Sequence, residues 1–327
     1  MVSKIVKWGV LGAARIAEKA VIPAIMQTEN CSLEAIASRN PEKAGRFLSQ
    51  FHAAKGYEAY TQLLSDPEVH AVYVPLPNAL HKEWVINALL AGKHVLCEKP
   101  LGLNPQEVRE MFDISRKADR ILMEGFAYIH NPLIRQMRNI IQSGGIGEVR
   151  HLLSSFSFDL SGRKEDIRWS RALGGGAVYD LGCYLVHLAR YLTEKEPTVV
   201  DAVATLHPIE RTDLSTTALL QIDRGLTMSF HVSFEQGRRM LFEAQGTKGC
   251  LSTERPFNES GTLTYTVINE KGNQPFQIES PNNYALEIAH VNAVIRGEAL
   301  PIITEEDSIH NAEVLTSILE RIKYGKD

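Results

Sequence analysis

The segment Glu98-Lys99 combines residue types that can handle protons with a position at which ligands bind. A short apolar run, His94 to Cys97, precedes it and predicts a buried strand. Both side chains should therefore lie at the carboxyl end of that strand, the edge where α/β sheets bind ligands. In a partly dry pocket beside another positive charge, the charged form of a lysine is disfavoured, which suits a group that exchanges a substrate hydroxyl proton. An ordinary solvated surface lysine explains the position equally well.

A second candidate site is the turn after the first predicted strand, Ile5 to Leu11. The turn reads Gly12-x-Ala14-x-x-Ala17, so alanine replaces the second glycine of the dinucleotide-binding fingerprint. The helix that follows can direct backbone N–H groups and its positive dipole end at a pyrophosphate. The residues expected to contact a dinucleotide here are Gly12, Ala14, Arg15 and Ile16. A tight strand-to-helix turn without a ligand explains the motif almost as well.

The residues after the second predicted strand indicate which dinucleotide would bind. NAD-specific folds place a carboxylate here to accept hydrogen bonds from the adenine ribose, but this strand ends in Ser38-Arg39. The guanidinium of Arg39 can pair with a 2′-phosphate and stack on adenine, and Ser38 can donate a hydrogen bond. The pair therefore favours NADP over NAD. The alternative is an exposed arginine at the start of a loop.

The elements that would position these residues alternate between strand and helix. Short β-rich runs are predicted at Ile5 to Leu11, Leu33 to Ser38, Val69 to Pro75, His94 to Cys97 and Ile121 to Glu124. Helices are predicted between them, at Ile16 to Gln27, Pro41 to Phe51, Leu80 to Ala91 and Pro105 to Lys117. This order is typical of βαβ units around a parallel sheet. Residues 1–125 are therefore predicted to form a doubly wound, NADP-binding Rossmann domain.

The pattern changes in residues 126–327, which are predicted to form an α+β domain for substrate binding and oligomerisation. It begins with a helix, a strand and a glycine-rich helix, at Pro132 to Ser143, Val149 to Phe158 and Gly174 to Leu192. Strands follow at Val199 to Leu206, Thr216 to Ile222, Leu226 to Phe234, Leu241 to Gly246 and Leu263 to Ile268, and helices near Tyr284 to Arg296 and Glu305 to Tyr324. Such strands predict a largely antiparallel open sheet, whose uncovered face suggests a homodimer or higher homo-oligomer.

Composition and charge argue against several classes of protein. The 327 residues carry 35 Lys and Arg against 39 Asp and Glu, a net charge of -4, without the basic block that nucleic-acid binding needs. No apolar run is long enough to span a bilayer and no secretion signal is visible, which predicts a cytoplasmic protein without membrane contact. The four cysteines are scattered, and neither HExxH nor a carboxylate cluster is present, so no metal site is predicted.

Further motifs accompany Glu98-Lys99-Pro100 in a specific order. They are Pro75-Leu76-Pro77-Asn78 with His81, the segment Gly174-Gly175-Gly176-Ala177-Val178-Tyr179-Asp180-Leu181-Gly182-Cys183-Tyr184, and Gly246-Thr247-Lys248-Gly249. Over nearly its whole length the sequence resembles the glucose-fructose oxidoreductase and inositol dehydrogenase family (Gfo/Idh/MocA). The resemblance implies a nicotinamide-dependent oxidoreductase. The residues that it adds to the cofactor site are Pro75, Asn78, His81, Glu98 and Lys99.

The resemblance also implies which residues are catalytic. In this family the lysine of the Glu-Lys-Pro motif is catalytic and its peptide bond to proline is typically cis, and these features fall on Lys99 and Pro100. The family places an aspartate and, four residues later, a histidine or tyrosine on the helix after the glycine-rich turn. Here these residues are Asp180 and Tyr184. A spacing of four puts both side chains on one helical face.

A tyrosine at position 184 resembles the branch that contains dihydrodiol dehydrogenase, NADP-dependent xylose dehydrogenase and sugar ketoreductases. This implies a sugar, polyol or vicinal diol as substrate, bound by Lys99, Asp180 and Tyr184. Arg168 and Trp169 either line the pocket, as similar residues do in the family, or brace the loop. His187 is interpreted as a core-edge histidine with satisfied hydrogen bonds.

The implied reaction is reversible hydride transfer between nicotinamide C4 and a carbinol or carbonyl carbon, without a metal. Tyr184 would move the hydroxyl proton, Lys99 would tune it, and Asp180 would orient the substrate or the lysine. Two alternatives stay open. One is an enzyme that uses a tightly held nicotinamide transiently to cleave glycosidic bonds, and the other is a non-enzymatic NADP-binding sensor on the same fold. The joint presence of three groups suited to proton transfer argues against the sensor.

Overall fold

The computed structural model describes residues 5–163, 165–257 and 259–324, with two compact units. The first unit comprises the chain up to Gly102, together with Gln106–Ala127 and Tyr284–Ser308. The second comprises Leu103–Pro105, Tyr128–Asn283 and the chain from Ile309 onward. Among the described residues, no helix combines the length and the apolar character that crossing a membrane requires.

The first unit is built on a six-stranded parallel sheet, which confirms the predicted doubly wound fold. Its strands are β1 (Val6–Leu11), β2 (Cys31–Ala37), β3 (Lys55–Tyr57), β4 (Ala71–Val74), β5 (His94–Glu98) and β6 (Leu122–Gly125). Their order is β3-β2-β1-β4-β5-β6, so the winding reverses between β1 and β4. The sequence did not predict β3, because three partly exposed residues form no apolar run.

Helices connect the strands of this sheet. They are a π-helical turn (Ala17–Val21) that continues into α1 (Ile22–Gln27), then α2 (Pro41–Phe51), α3 (Tyr60–Leu64), α4 (His81–Leu90) and α5 (Pro105–Ala118). The bounds of α2 match the prediction because its start is encoded locally. The side chain of Asn40 accepts a hydrogen bond from the Lys43 N–H at 2.9 Å, and Pro41 occupies the first helical position.

The second unit is built on an eight-stranded sheet that is antiparallel except where β7 pairs with β10, as predicted for a largely antiparallel sheet. Its strands are β7 (Val149–Asp159), β8 (Thr198–Leu206), β9 (Asp213–Asp223), β10 (Leu226–Ser233), β11 (Glu235–Gly246), β12 (Gly249–Thr253), β13 (Gly261–Asn269) and β14 (Gly272–Ser280). Their order is β14-β13-β12-β11-β7-β10-β9-β8. The prediction missed β12, which is short, and β14, an edge strand that contains Pro275.

Four further helices complete the chain. They are α6 (Pro132–Gln142), α7 (Cys183–Thr193), α8 (Asn283–Ile295) and α9 (Glu305–Tyr324). Helix α7 contacts β7 and α6, whereas α8 belongs to the core of the first unit. Ile288 and Val291 on α8 are buried in one cluster with Trp8, whose indole Nε1 donates to Asn292 Oδ1 at 3.0 Å. A single boundary after residue 125 therefore does not describe the chain, because late apolar residues return to the first core.

Candidate active site

The predicted cofactor residues of the first unit come together at one edge of its sheet. Strands β2, β1, β4 and β5 are parallel neighbours in that order, so their carboxyl ends meet at this edge. The groups found there are Ser38-Arg39 after β2, Gly12 to Ile16 after β1, Pro75 to Asn78 after β4, and Glu98-Lys99 at the end of β5. The reversal between β1 and β4 makes this edge the topological switch point at which doubly wound folds bind ligands.

Gly12 forms a turn that only glycine can adopt without strain. Its φ is +112°, and a Cβ there would lie 2.9 Å from Leu76 Cδ2. The Gly12 N–H donates to the Ala37 carbonyl at 2.8 Å, which ties the turn to the end of β2. Helical geometry begins at Arg15, which is exposed. The helix N-terminus thus lies directly beyond a tight strand end, an arrangement that suits a pyrophosphate.

Ser38 and Arg39, at the end of β2, differ in the solvent exposure of their side chains. Ser38 is buried, and its Oγ accepts a hydrogen bond from the Asn40 N–H at 3.2 Å. Arg39 is exposed, and its guanidinium carbon lies 5.9 Å from the centre of the Tyr60 ring. No carboxylate stands at either position. The exposed group at this strand end is therefore a cation, which suits a phosphate better than a ribose hydroxyl.

His81 joins the two loops that follow β4 and β5. Its side chain is 0% exposed, with Nε2 at 2.8 Å from the Leu76 carbonyl oxygen and Nδ1 at 2.9 Å from that of Pro100. Burial lowers the pKa of His81, and the two carbonyl oxygens oppose that effect. Both ring nitrogens thus face the backbone, so His81 shapes the predicted cofactor site rather than presenting a nitrogen to a ligand. The Lys99-Pro100 peptide bond is cis, as the resemblance implied.

Glu98 lies beside buried polar groups of two other residues that the sequence did not predict. The Tyr73 hydroxyl, on β4, donates to Glu98 Oε1 at 2.6 Å. Burial, and then the charge of Glu98, raises the pKa of Tyr73 and also that of the Glu287 carboxyl on α8. Glu287 is therefore favoured in its protonated form while Glu98 accepts a hydrogen bond. Periodicity could not reveal this group, because Tyr73 and Glu287 lie 214 residues apart and each occupies an apolar segment.

The predicted helix over Gly174 to Leu192 begins later in the structure. Gly174 and Gly176 have φ of +75° and +118°, so the glycines form a turn, and helical geometry starts at Ala177. Val178–Gly182 form a π-helical turn that continues into α7. Asp180 lies in the π-helical turn, and Tyr184 is the second residue of α7. Gly174 and Gly176 cannot belong to a right-handed helix, because that helix requires a negative φ at every residue.

Asp180 and Arg168 form an ion pair next to this turn. Arg168 Nε lies 2.6 Å from Asp180 Oδ2, and Arg168 Nη1 lies 3.1 Å from Asp166 Oδ1. The charge of Asp180 raises the pKa of Arg168 above its usual range. The backbone joins the same segments, since the Gly176 N–H donates to the Arg168 carbonyl at 3.0 Å. Arg168 therefore braces the loop, one of the two roles that the sequence left open, and its ion pair also holds the Asp180 carboxylate.

Tyr184 sits in an aromatic shell and is 8% exposed. Its ring centre lies 5.6 Å from that of Tyr128, 5.9 Å from that of Phe156 and 5.2 Å from that of Phe257. These contacts pack the ring on several sides. His187 is 3% exposed, and its Nδ1 is 2.6 Å from the Tyr128 hydroxyl, which confirms its interpretation as a core-edge histidine with a satisfied hydrogen bond.

Trp169 is held within its own loop. Its Nε1 donates to the Arg163 carbonyl at 2.6 Å, and its ring stacks on His207 with centres 6.0 Å apart. An edge contact with Phe234, at 5.7 Å between ring centres, fixes the other side. The polar atom of Trp169 is thus engaged by the backbone. The side chain is placed to supply an apolar surface rather than a hydrogen bond.

Asp213 is a residue of this region that the sequence did not predict. It is the first residue of β9 and 3% exposed, and its Oδ2 accepts hydrogen bonds from the Val178 N–H at 2.8 Å and the Thr216 hydroxyl at 2.9 Å. The predicted strand began only at Thr216, which left Asp213 in a loop. In the sequence, its one distinguishing feature was an acidic side chain three positions before the predicted strand.

The glycine-rich turn gives a stability prediction with a matched control. We expect Gly176→Ala to lower the free energy of unfolding by about 1–3 kcal/mol, because φ is +118° there and the new Cβ would overlap Asp213 Oδ1. Gly182→Ala should be neutral or stabilising by up to about 1 kcal/mol, since its Cβ would meet nothing closer than 3.7 Å inside a helix. Chemical denaturation of both variants measures the difference. Equal effects would show that the turn imposes no special constraint.

The described residues contain no group of three or more His, Cys, Asp or Glu side chains that could hold a metal ion. The polar groups described above are instead carboxylates, an arginine, a lysine and a tyrosine. Side chains of these types can bind anions and hydroxyl groups, and they can exchange protons.

Comparison with known proteins identifies the family. The model of an oxidoreductase family with an NAD-binding Rossmann fold (GFO_IDH_MocA) matches residues 6–126, and the model of the GFO/IDH/MocA C-terminal domain matches residues 134–252. A D-xylose 1-dehydrogenase (NADP(+)) from Haloferax volcanii is 35% identical over 323 residues, which covers 97% of this chain and 98% of the relative. A trans-1,2-dihydrobenzene-1,2-diol dehydrogenase from Mus musculus is 32% identical over 252 residues, 76% of this chain and 74% of the relative.

A solved structure agrees with the sequence relatives. It is a 3-ketoreductase from Actinomadura kijaniata in complex with NADP and TDP-benzene, with a TM-score of 0.93 and 30% identity. The match covers 97% of this chain and 98% of that one. Two family models thus cover most of the sequence, and relatives match it almost from end to end. The chain belongs to the GFO/IDH/MocA family of oxidoreductases.

Proposed function

We propose that this protein is an NADP(H)-dependent oxidoreductase that acts on a CH–OH or C=O carbon of a sugar, polyol or vicinal diol. The observation that carries the proposal is the edge formed by β2, β1, β4 and β5, where a glycine turn, an exposed arginine and Glu98-Lys99 meet. The relatives support the substrate class, since their names describe a D-xylose dehydrogenase, a dihydrobenzene-diol dehydrogenase and a 3-ketoreductase.

The residues at this edge fit a phosphorylated dinucleotide. Gly12 leaves no room for a side chain where the backbone would approach a pyrophosphate, and the helix N-terminus beyond it favours an anion. Arg39 supplies a cation for the 2′-phosphate, and Tyr60 limits where its guanidinium can lie. When bound, the nicotinamide would supply or accept the hydride.

The chain's own residues would manage the substrate and its proton. We assign to Tyr184 the exchange of the substrate hydroxyl proton, because its phenol can both donate and accept a proton and aromatic contacts pack its ring. Lys99 would hydrogen-bond the reacting oxygen as a cation. Asp180 would orient the substrate, and its ion pair with Arg168 sets the direction of that carboxylate.

A substrate panel assayed with both dinucleotides tests the proposal. Aldoses, ketosugars, cyclitols and trans-diols should be offered with NADP(H) and NAD(H), and turnover should appear for at least one class with NADP(H). Purified protein that retains a dinucleotide and cleaves glycosides without net oxidation would assign it to glycoside cleavage instead. Dinucleotide binding without turnover of any class would favour a sensor.

The choice of dinucleotide gives a separate prediction. We expect Arg39→Asp to shift the ratio of kcat/KM for NADP over NAD by roughly 10-fold to 100-fold or more towards NAD, because a charge-assisted hydrogen bond contributes about 1.5–3 kcal/mol and the new carboxylate repels the 2′-phosphate. Arg150→Asp, an identical charge change at an exposed side chain of β7, should leave the ratio unchanged. Equal efficiency of the wild-type protein with both dinucleotides would contradict the assignment of Arg39.

We also propose that the second unit forms a homodimer, or a higher homo-oligomer, through one face of its sheet. Burial alternates along β9, where Ala218 and Leu220 are buried and Leu219 is exposed, and Val203 on β8 is 66% exposed. Exposed apolar residues on a sheet face support association, because water contact with them is unfavourable. Light scattering of the purified protein should give the mass of at least two chains.

A further inference from the structure

Asp213 is a buried carboxylate whose hydrogen bonds are made to the protein itself. Oδ2 accepts from the Val178 N–H and the Thr216 hydroxyl. Val178 lies in the first helical turn after the glycine-rich turn. The carboxylate thus satisfies an N–H group that has no partner within its own helix.

Keeping the Asp213 carboxylate charged costs free energy, because the group is buried. Burial raises the pKa of Asp213 to about 7, although every hydrogen bond that it accepts acts in the opposite direction. A buried charge often adds less stability than a neutral side chain of similar shape. Stability alone therefore gives little reason for an ionisable group here. The atoms that it contacts suggest a different reason.

The turn is held from two sides. On one side the Arg168 segment binds it, through the Arg168 carbonyl to the Gly176 N–H and through the guanidinium to Asp180. On the other side Asp213 binds the backbone at Val178, two residues before Asp180. Gly176 lies between the two, and its missing Cβ leaves room for Asp213 Oδ1. Removing either contact would let the first helical turn rotate or fray.

We propose that Asp213 is a positioning residue, which fixes the start of the helix that carries Asp180 and Tyr184 and so sets the direction of both side chains. This inference rests on the proposed function, because it assigns Asp180 and Tyr184 to the reaction. Asp213 has its hydrogen bonds to the protein itself, so it acts through the helix rather than on the substrate.

Asp213→Asn tests the role directly. The amide keeps the shape and can still accept through one oxygen, but it removes the negative charge and places an NH₂ group where Oδ1 lies beside Gly176. We expect kcat to fall by on the order of 10-fold to 100-fold, as misplacement of a catalytic group by about 1 Å does, while NADPH binding stays unchanged. Thr216→Val removes one donor, keeps the carboxylate, and should lower kcat by only a few fold. Asp223→Asn, on the exposed end of the same strand, should leave kcat unchanged.

A double-mutant cycle with Tyr184→Phe separates positioning from simple loss of folded protein. If Asp213 acts by placing Tyr184, Asp213→Asn should cost much less activity in the Tyr184→Phe background than in the wild type. A loss by the same factor in both backgrounds would overturn the inference, since it would reflect a general structural defect. Unchanged kcat in Asp213→Asn, with Tyr184→Phe impaired, would also overturn it and leave the proposed function intact.

Hydrogen exchange provides a readout that needs no substrate. We expect Asp213→Asn to speed amide exchange in peptides that contain Ala177 to Tyr184, and Asp223→Asn to leave it unchanged. Unaltered exchange in that segment would overturn the positioning role. Near-normal kcat in Tyr184→Phe, together with faster exchange in Asp213→Asn, would instead show that the helix is held as described and that the proposed function is at fault.

Discussion

Tyr184→Phe is expected to lower kcat by roughly 100-fold to 10,000-fold while the protein stays folded and binds NADP(H). The substitution removes one oxygen and keeps the ring, which Tyr128, Phe156 and Phe257 surround at 5.2–5.9 Å between ring centres. Packing and stability should therefore change little. The loss would come from the proton, because hydride transfer creates or consumes charge on the substrate oxygen and that charge then lacks its proton partner.

The control for this substitution lies on the same helix. Tyr191→Phe also removes a hydroxyl and keeps a ring. The centre of that ring lies 4.6 Å from the guanidinium carbon of Arg138. Its kcat should be close to that of the wild type. Steady-state kinetics, circular dichroism and NADPH fluorescence should be measured for both variants. Near-normal kcat in folded, NADP-binding Tyr184→Phe would exclude Tyr184 as the principal proton-transfer group and favour Lys99 or His187.

Lys99→Ala is expected to lower kcat by about 100-fold or more while the affinity for NADP(H) stays largely intact. Lys99 follows the last residue of β5 and is partly buried, and other predicted dinucleotide contacts, among them Gly12 and Arg39, follow other strands and stay in place. A positive charge at the reacting oxygen stabilises the developing alkoxide more than it stabilises the neutral hydroxyl or carbonyl. The effect should therefore appear in kcat rather than in dinucleotide affinity.

Two further variants sharpen the test of Lys99. Lys99→Met retains most of the apolar stem and removes the charge, so it should resemble Lys99→Ala if the ammonium is what matters. Lys117→Ala, on the exposed face of α5, should behave as the wild type. Preserved kcat with weakened NADP(H) binding in Lys99→Ala would reassign Lys99 to dinucleotide binding.

Local signals in the sequence account for the elements that were predicted correctly. Helix α2 has a capping Asn40 and a proline at its first position, so its bounds follow from a few neighbouring residues. The parallel sheet follows from alternating strands and helices, and that order also places the ends of β1, β2, β4 and β5 at one edge. The grouping of Gly12, Ser38-Arg39 and Glu98-Lys99 at this edge therefore follows from the order of the elements in the chain.

Long-range packing accounts for what was not predicted. Helix α8 follows the strands of the second unit in the sequence, and only its burial against Trp8 assigns it to the first unit. The glycine-rich segment reads as part of a helix, whereas positive φ at Gly174 and Gly176 makes it a turn. Strands β3, β12 and β14 are short or peripheral, so their pairing depends on neighbours rather than on their own composition.

The sequence by itself determined the two fold classes, the glycine turn and the cation at the end of β2, whereas the residues predicted to be catalytic were implied by the family resemblance. These features depend on residue type and short spacing, which tertiary contacts do not alter. Only the tertiary structure decided the environment of those residues. Arg168 pairs with Asp180, Tyr73 donates to Glu98, and Asp213 caps the helix of Tyr184. Each of these contacts joins separate elements across a buried interior, where the hydrogen-bonding partner of a polar group is set by packing and leaves no periodic signal in the chain.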